Sequence, residues 1–397
     1  MFGKKIRSIL PTDINVSQLF LDFFKSGKSS GFILIGCTVA SMVVANSAWG
    51  TGYLDFWHQY LGPLSVGHWI NDGLMAVFFL LVGLEIEREL YIGELSKFRN
   101  AILPIAAAAG GMLIPALIHL GFNEGYPTSS GFGVPMATDI AFALGVLSIA
   151  GKKVPTALKI FLTALAIIDD LGAILIIAFF YTTELNTFYL FLGLGIFAGL
   201  YILGRLGIRN LLFYILPGIF LWYCFYKSGV HATISGVFLA FAIPFGSGDK
   251  KSPSYQLQHF LHKPVAYFIT PLFALANTGI ILQPGFYMEL ISRNSLGIMA
   301  GLALGKPLGV LGFSWIAVKS KVAELPENVN WKAIAGAGLI AGIGFTMSIF
   351  ITLLAFPDEG TIVSSKIAIL VASLASAIAG LIVLRKVYNN QESIIKN

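Results

Sequence analysis

The sequence predicts an all-α membrane protein whose chain crosses the bilayer many times. Of its 397 residues, 56% are hydrophobic and only 12% are charged, and its mean hydropathy of +0.80 lies far above that of soluble domains. Apolar stretches of about 20 residues, the length that a helix needs to cross a bilayer, recur along the chain with short polar breaks between them. We therefore expect a single transmembrane domain that covers residues 1–397.

Twelve apolar segments are long enough to be spanning helices. An even number of spans puts both termini on one side; Lys and Arg gather there, whereas the opposite side holds only Lys227, Arg293 and Lys366. The positive-inside rule makes the side of the termini the cytoplasm. This distribution accounts for the net charge of +6 without a nucleic-acid partner. The spans are placed at about 30–47, 69–89, 101–122, 133–150, 156–181, 187–204, 210–227, 229–246, 264–283, 295–318, 333–355 and 363–386.

The connection at about 47–68 differs from the others because it holds no Lys or Arg and is rich in glycine and aromatic residues. We expect a small β-hairpin that lies on the external surface. Its aromatic residues suit either a belt at the membrane interface or a contact with a second copy of the chain, and the sequence alone leaves both open.

Four ionisable residues lie well inside the predicted spans, namely Asp139, Asp169, Asp170 and Lys306. Each costs about 2.5–3.5 kcal/mol at the centre of a spanning helix, so each needs a partner or a function. Counting about 1.5 Å of rise per residue from the nearest cytoplasmic turn places Asp139, Asp169 and Lys306 at the same depth, about 18–21 Å. Residues from three spans are therefore predicted to converge near the middle of the membrane.

Two of the spans contain residues that predict a break in the helix. Gly133 and Pro135 precede Thr138 and Asp139 in one of them, and the span at about 333–355 contains the sequence GIGFTMS. The freed backbone groups and dipole ends at such breaks can bind an ion. Each break lies in the middle of three spans, and since three is odd, the two units run in opposite directions. This arrangement predicts inverted repeats over about 101–181 and 295–386.

The two adjacent acids, Asp169 and Asp170, point about 100° apart on one helix. We expect one of them to bind a cation and the other to face Lys306 on a neighbouring helix. A carboxylate is a hard oxygen ligand that suits a small alkali cation, and protonation removes that ligand, so a cation and protons compete for it. The alternative is a structural network of ion pairs, which caps the broken helices and touches no substrate.

Several long motifs of the chain resemble the NhaA family of bacterial Na+/H+ antiporters. They are FFLLVGLEIEREL, ATDIAFALGVL, LKIFLTALAIIDDLGAILIIAFFYT, KSGVHATISGV, GLALGKPLGV and GIGFTMSIF, in family order within about residues 20–385. The resemblance implies twelve spanning helices, of which two are broken and cross near mid-membrane. It also implies an electrogenic, pH-regulated exchange of two H+ for one Na+ or Li+, which serves sodium and pH homeostasis. The implied setting is a homodimer in the bacterial inner membrane, with no cofactor besides the transported ions.

The resemblance also assigns roles to individual residues. Asp169 and Asp170 match the pair of acids that bind Na+, and Asp170 takes the larger part. Asp139 and Lys306 match residues that offset the helix dipoles at the breaks, and Thr138 matches a hydroxyl beside the site. For the lysine a second role is implied, as the partner of Asp169 and a carrier of a proton, and the sequence leaves both roles open.

Regulation by pH is implied to depend on a cytoplasmic cluster. Gln258 stands where the family often has an acid, which leaves the pH threshold open. His231 matches a further position tied to the pH response, although a histidine that packs through a hydrogen bond is an equal alternative. The cluster comprises Glu85, Arg88, Glu89, His259 and His262.

Two other functions would also place acids in spanning helices. An intramembrane aspartyl protease needs two facing carboxylates, whereas Asp169 and Asp170 diverge on one helix, so we do not expect an enzyme. A sodium-coupled symporter of a small organic solute is the nearer alternative, and it would need a roomier site with more polar residues.

Overall fold

The computed structural model describes the backbone of residues 13–151, 154–182 and 185–395, and the side chains of 29–151, 154–182 and 185–388. Within these ranges the chain is almost entirely helical, with one two-stranded sheet. Some of the basic residues that predict the orientation lie outside the described residues, namely those before position 13 and Lys152, Lys153 and Lys396.

The N-terminal half of the chain contains long apolar helices interrupted by one short hairpin. A π-helical stretch opens the third helix at Trp69–Leu74, and a 3-10 helix at Pro127–Met136 precedes α5. The elements are α1 (Asp13–Ala45), α2 (Gly50–His58), β1 (Tyr60–Leu61), β2 (Leu64–Ser65), α3 (Val66–Tyr91), α4 (Phe98–Asn123), α5 (Ile140–Ile149), α6 (Thr156–Phe180) and α7 (Thr187–Arg205).

The C-terminal half contains shorter helices first and long helices near its end. Two π-helical stretches occur there, at Val265–Ile269 and at Gly301–Gly305. The elements are α8 (Leu212–Ser228), α9 (Ile234–Ala242), α10 (Pro253–Pro264), α11 (Thr270–Asn277), α12 (Phe286–Glu289), α13 (Arg293–Lys319), α14 (Trp331–Ala341), α15 (Phe345–Ala355) and α16 (Glu359–Ile395).

Among the described residues, the chain has six helices that are long and apolar enough to cross a membrane: α3, α4, α6, α7, α13 and α16. Three further candidates are pairs of helices joined at a bend. The bend is 114° between α1 and α2, 46° between the 3-10 helix Pro127–Met136 and α5, and 47° between α14 and α15. The protein is therefore a multi-span membrane protein with six to nine candidate spans. The remaining predicted spans, at about 210–227, 229–246 and 264–283, coincide with α8, α9 and α11, which are not among these candidates. α8 has 17 residues and α9 has nine, and α11 continues without a break from α10 through the π-helical stretch Val265–Ile269.

The predicted hairpin forms only part of the segment at about 47–68. Its strands pair antiparallel, with Tyr60 opposite Ser65 and Leu61 opposite Leu64. The indole nitrogen of Trp69 donates to the Leu61 carbonyl at 2.8 Å and ties the hairpin to α3. The residues before the hairpin form α2 instead of a strand, which the glycine and aromatic composition did not indicate.

A close contact between α4 and α13 brings the functional residues of α13 into the bundle. A Cβ atom at Gly309 would collide with the carbonyl oxygen of Gly110, so the two backbones touch where neither residue has a side chain. Lys306 lies one turn earlier on α13 and also packs against α4. A Cβ atom added at Gly111 of α4 would lie 3.9 Å from the Lys306 Nζ atom. The lysine is therefore enclosed by protein and does not face lipid.

Candidate ion-binding site

Both predicted helix breaks are present. After the 3-10 helix ends at Met136, the backbone is extended at Ala137 and again at Asp139, and α5 begins at Ile140. The second break occupies residues 342–344, between α14 and α15. Pro135 lies within the last turn of the 3-10 helix, where it removes a backbone donor.

The two breaks meet and exchange hydrogen bonds. The Thr138 hydroxyl donates to the Ala341 carbonyl at 2.9 Å, and the backbone N–H of Asp139 donates to the Ile343 carbonyl at 2.7 Å. In the opposite direction the Ser348 hydroxyl donates to the Val134 carbonyl at 2.7 Å. Backbone groups that each helix leaves unpaired at its end thus find partners in the other broken segment.

The Asp139 carboxylate caps two helices at once. Its Oδ1 accepts from the Phe142 N–H in the first turn of α5 at 2.9 Å. Its Oδ2 accepts from the N–H of Thr346 in the first turn of α15 at 3.1 Å, and from the hydroxyl of that residue at 2.5 Å. A single negative charge therefore lies at the positive ends of two helix dipoles, where it is favourable.

Lys306 lies on the other side of the first break, at the C-terminal end of the 3-10 helix. Its side chain is fully buried and follows the π-helical stretch Gly301–Gly305, a local irregularity that often accompanies functional sites. The ammonium donates to the Met136 carbonyl, at the negative end of the 3-10 helix. It also forms an ion pair with Asp169, with 2.6 Å between Nζ and Oδ2.

Asp169 is fully buried and uses only one of its carboxylate oxygens. Oδ2 accepts from Lys306 and also from the Thr138 hydroxyl, at 2.7 Å. Oδ1 is buried and has no hydrogen-bond partner among the described residues. The ion pair thus leaves half of the carboxylate able to bind another group.

Asp170 has a different environment from its neighbour. Its side chain is 1% exposed, and its Oδ1 is also buried without a hydrogen-bond partner in the described part of the chain. A buried carboxylate oxygen without a donor is costly, and a bound cation or a proton relieves that cost. The described residues contain no group of three or more His, Cys, Asp or Glu side chains placed to hold a metal ion. Any cation here would depend on the two acids and on uncharged oxygens.

The structure brings together most of the predicted ion site. Asp169 and Lys306, which the count of helix rise predicted to converge, are in contact, and Thr138 bonds to the same carboxylate oxygen. Asp139 lies at the break but bonds to Phe142 and Thr346 rather than to the lysine.

The predicted pH-response residues occupy two places. In one, Arg88 donates to Gln258 at 3.4 Å and lies 5.3 Å from the centre of the Tyr255 ring, which stacks on His259. Glu85, Glu89 and His262 are on the same two helices, α3 and α10. In the other place, His231 bonds to the Tyr181 carbonyl at 2.7 Å.

Sequence reasoning missed the hydroxyls that complete the second break. Thr346 and Ser348 bond across to the first broken segment, and Ser373 of α16 accepts from the Phe345 N–H at 3.2 Å. The first two lie in the first turn after the glycine break, where unpaired backbone groups offer partners to hydroxyl side chains. Ser373 lies in an apolar helix and nothing local distinguishes it.

Broken helices that meet around buried charges within a polytopic bundle define a secondary transporter of ions. The chain belongs to the Na+/H+ antiporter 1 family, whose sequence model matches residues 21–384.

Full-length relatives carry the same family name. A protein of Flavobacterium psychrophilum named Na(+)/H(+) antiporter NhaA is 57% identical over 384 residues, which is 97% of this chain and 100% of the relative. Proteins of the same name from Dechloromonas aromatica and Vibrio cholerae are 56% and 49% identical, over 92% and 93% of this chain and 95% and 98% of the relatives. These names do not support the solute symporter that the sequence left as an alternative.

Proposed function

We propose that this Na+/H+ antiporter exchanges one cytoplasmic Na+ or Li+ for two external H+, with Asp170 as the main cation ligand. The observation that carries the proposal is the buried Asp170 Oδ1 atom without a hydrogen-bond partner among the described residues, beside an acid that is already paired. The proposed role is that of a transporter in sodium and pH homeostasis, with no cofactor.

The cation would be held by oxygen atoms alone. Asp170 and Asp169 each have an Oδ1 atom that is buried and has no hydrogen-bond partner within the described residues. Carboxylate oxygens, helped by carbonyl or hydroxyl oxygens at the break, are the ligands that small hard cations prefer. A proton on Asp170 would cancel the charge that binds the cation, so the two ions compete for one position.

The second proton is assigned to Asp169. In the cation-bound state both acids are ionised, one against Na+ and the other against Lys306, which donates to it at 2.6 Å. In the proton-bound state both acids carry a proton and the lysine keeps its charge. One cycle then exchanges one Na+ for two H+ and moves one net charge across the membrane, which makes the exchange electrogenic.

Three further residues hold the site in place in this proposal. The carboxylate of Asp139 and the ammonium of Lys306 offset the dipole ends at the breaks, as their bonds to helix termini support. Thr138 orients Asp169 and joins the two breaks. We infer an overall architecture of twelve spanning helices, with inverted repeats over about 101–181 and 295–386.

The cellular setting is part of the same proposal. We place the protein in the bacterial inner membrane with both termini in the cytoplasm, and the Arg88–Gln258 contact within a cytoplasmic cluster that responds to pH. A homodimer is supported by the apolar side chains of Trp49, Tyr60 and Leu61, which are 78%, 80% and 66% exposed around the hairpin. Cross-linking in native membranes would test the dimer.

Everted vesicles that carry the protein test the central proposal. A pH gradient is imposed and followed with an acridine dye while Na+, Li+ or K+ is added at several pH values. We expect Na+ and Li+ to dissipate the gradient, and Asp170→Asn to abolish that response. The matched control is Asp55→Asn, which neutralises an exposed acid of α2 and should leave the response intact. A wild-type protein that ignores Na+, or an Asp170→Asn variant that keeps its response, would refute the proposal.

A further inference from the structure

Tyr181, the residue that follows α6, fastens the first broken segment to that helix. Its hydroxyl donates to the Ser130 carbonyl at 2.8 Å and accepts from the Gly133 N–H at 3.2 Å. The side chain is buried, and its ring lies 6.3 Å from that of Phe132 between centres. One phenolic hydroxyl therefore bonds to a backbone donor and a backbone acceptor of the same 3-10 helix.

The contact matters because α6 also carries the two acids of the ion site. The broken segment is joined to α6 at the Tyr181 hydroxyl and again where Thr138 donates to Asp169 at 2.7 Å. Tyr181 follows Asp170 by eleven residues, about 16 Å of helix rise. Two separated attachments to one helix fix both the height and the rotation of the segment, which one attachment cannot do.

His231 anchors the tyrosine from the other side. Its Nε2 lies 2.7 Å from the Tyr181 carbonyl oxygen. Because a carbonyl can only accept, Nε2 carries the proton of this bond. His231 lies just before α9. The segment before α9 therefore bonds to Tyr181, which in turn bonds to the first broken segment. We call Tyr181, His231, Ser130 and Gly133 the tyrosine clamp.

Glycine is required at position 133 for the clamp to close. A Cβ atom there would lie 2.6 Å from the Tyr181 hydroxyl oxygen and 3.2 Å from the Ile176 Cγ2 atom. A side chain at this position would therefore push the tyrosine away from the backbone that it binds.

We propose that Tyr181 is a positioning residue for cation binding, and that His231 acts on the site through it. This inference rests on the proposed function, because it takes Asp170 and Asp169 as the cation ligands. The clamp sets the rotation of the broken segment, which sets the direction in which Thr138 presents its hydroxyl to Asp169. Without the clamp the site still forms, but only in a fraction of molecules.

Transport by Tyr181→Phe, which removes only the hydroxyl, tests this inference. We expect the half-saturating Na+ concentration to rise about five- to tenfold, as for the loss of one or two buried hydrogen bonds, with a maximal rate within about twofold of wild type. The control is Tyr189→Phe on α7, whose hydroxyl has no hydrogen-bond partner among the described residues. An unchanged half-saturating concentration, or a loss of maximal rate alone, would overturn the proposal.

A double-mutant cycle separates the clamp from a general loss of folding. Gly133→Ala alone should weaken Na+ binding because its Cβ displaces the hydroxyl. Added to Tyr181→Phe, it should raise the half-saturating concentration by less than it does alone, since the contact with the hydroxyl is gone and only the contacts with the ring and with Ile176 remain. Additive effects would show that the two residues act independently and would contradict the clamp.

Hydrogen exchange tests the clamp without any transport measurement. Peptides that contain Gly133 should exchange about three- to tenfold faster in Tyr181→Phe than in wild type or Tyr189→Phe. His231→Leu should also speed the exchange of these peptides. His231→Gln, which can still donate to the Tyr181 carbonyl, should restore part of the protection. If wild type fails to exchange Na+ for H+, the proposed function falls, while equal exchange rates in all variants would refute the clamp alone.

Discussion

The buried ion pair between Asp169 and Lys306 gives a prediction about stability. Both side chains are fully buried and their charged atoms are 2.6 Å apart. Replacing one partner leaves the other as an unpaired charge in the protein interior, which typically costs about 3–5 kcal/mol. At about 2 °C per kcal/mol, the sensitivity of large domains, Asp169→Asn or Lys306→Gln should lower Tm by about 6–10 °C.

The double variant Asp169→Asn/Lys306→Gln carries no charge at either position and should recover most of that loss. Tm is measured on protein purified in one detergent at one pH. The control pair is Arg99 and Glu324, which form an ion pair at 2.5 Å but have side chains that are 78% and 74% exposed. Arg99→Gln should shift Tm by less than about 1 °C, because exposed pairs contribute little. Single variants within about 2 °C of wild type, or a double variant that adds both losses, would refute this reasoning.

Three further predictions concern other parts of the molecule. Thr138→Val loses the hydroxyl that lies within hydrogen-bond distance of two acceptors, and it should raise the half-saturating Na+ concentration of transport about tenfold, whereas Thr138→Ser should stay within about threefold. Burial and the neighbouring His259 lower the pKa of His262 below its usual value of 6.5. The unfolded chain then binds the extra proton as pH falls below about 6.5, so stability should drop in that window, and His262→Gln should flatten a plot of Tm between pH 7.5 and 5. Gly309→Ala places a Cβ on the Gly110 carbonyl oxygen and should lower the yield of folded protein in detergent more than Gly312→Ala, which meets no atom within 4 Å.

Several features of the site followed from the sequence because they depend on local chemistry. Glycine and proline around Gly133 and Pro135 break a helix wherever it packs. The constant rise of a helix was enough to place Asp169 and Lys306 at one depth, and the two are in contact. The positions of the breaks and the central ion pair were therefore predictable.

Other features depend on how helices rotate and pack, which local patterns do not encode. The sequence placed Asp139 at the break, but its partners Phe142 and Thr346 depend on how the second broken segment packs against the first. The clamp at Tyr181 depends on a glycine 48 positions away in the sequence. The helix α9 covers only nine residues of its apolar segment at about 229–246, since hydropathy does not show where a buried helix begins or ends.

Proton release upon cation binding tests the central claim most directly. Purified protein in weakly buffered detergent solution, with a pH indicator, receives Na+ near the pH at which transport is half-maximal. We predict that wild type releases protons on adding Na+ or Li+, and that Asp170→Asn releases none at Na+ concentrations that saturate wild type. Asp55→Asn should release as many protons as wild type. Proton release by Asp170→Asn equal to that of wild type would contradict the assignment of the cation to Asp170.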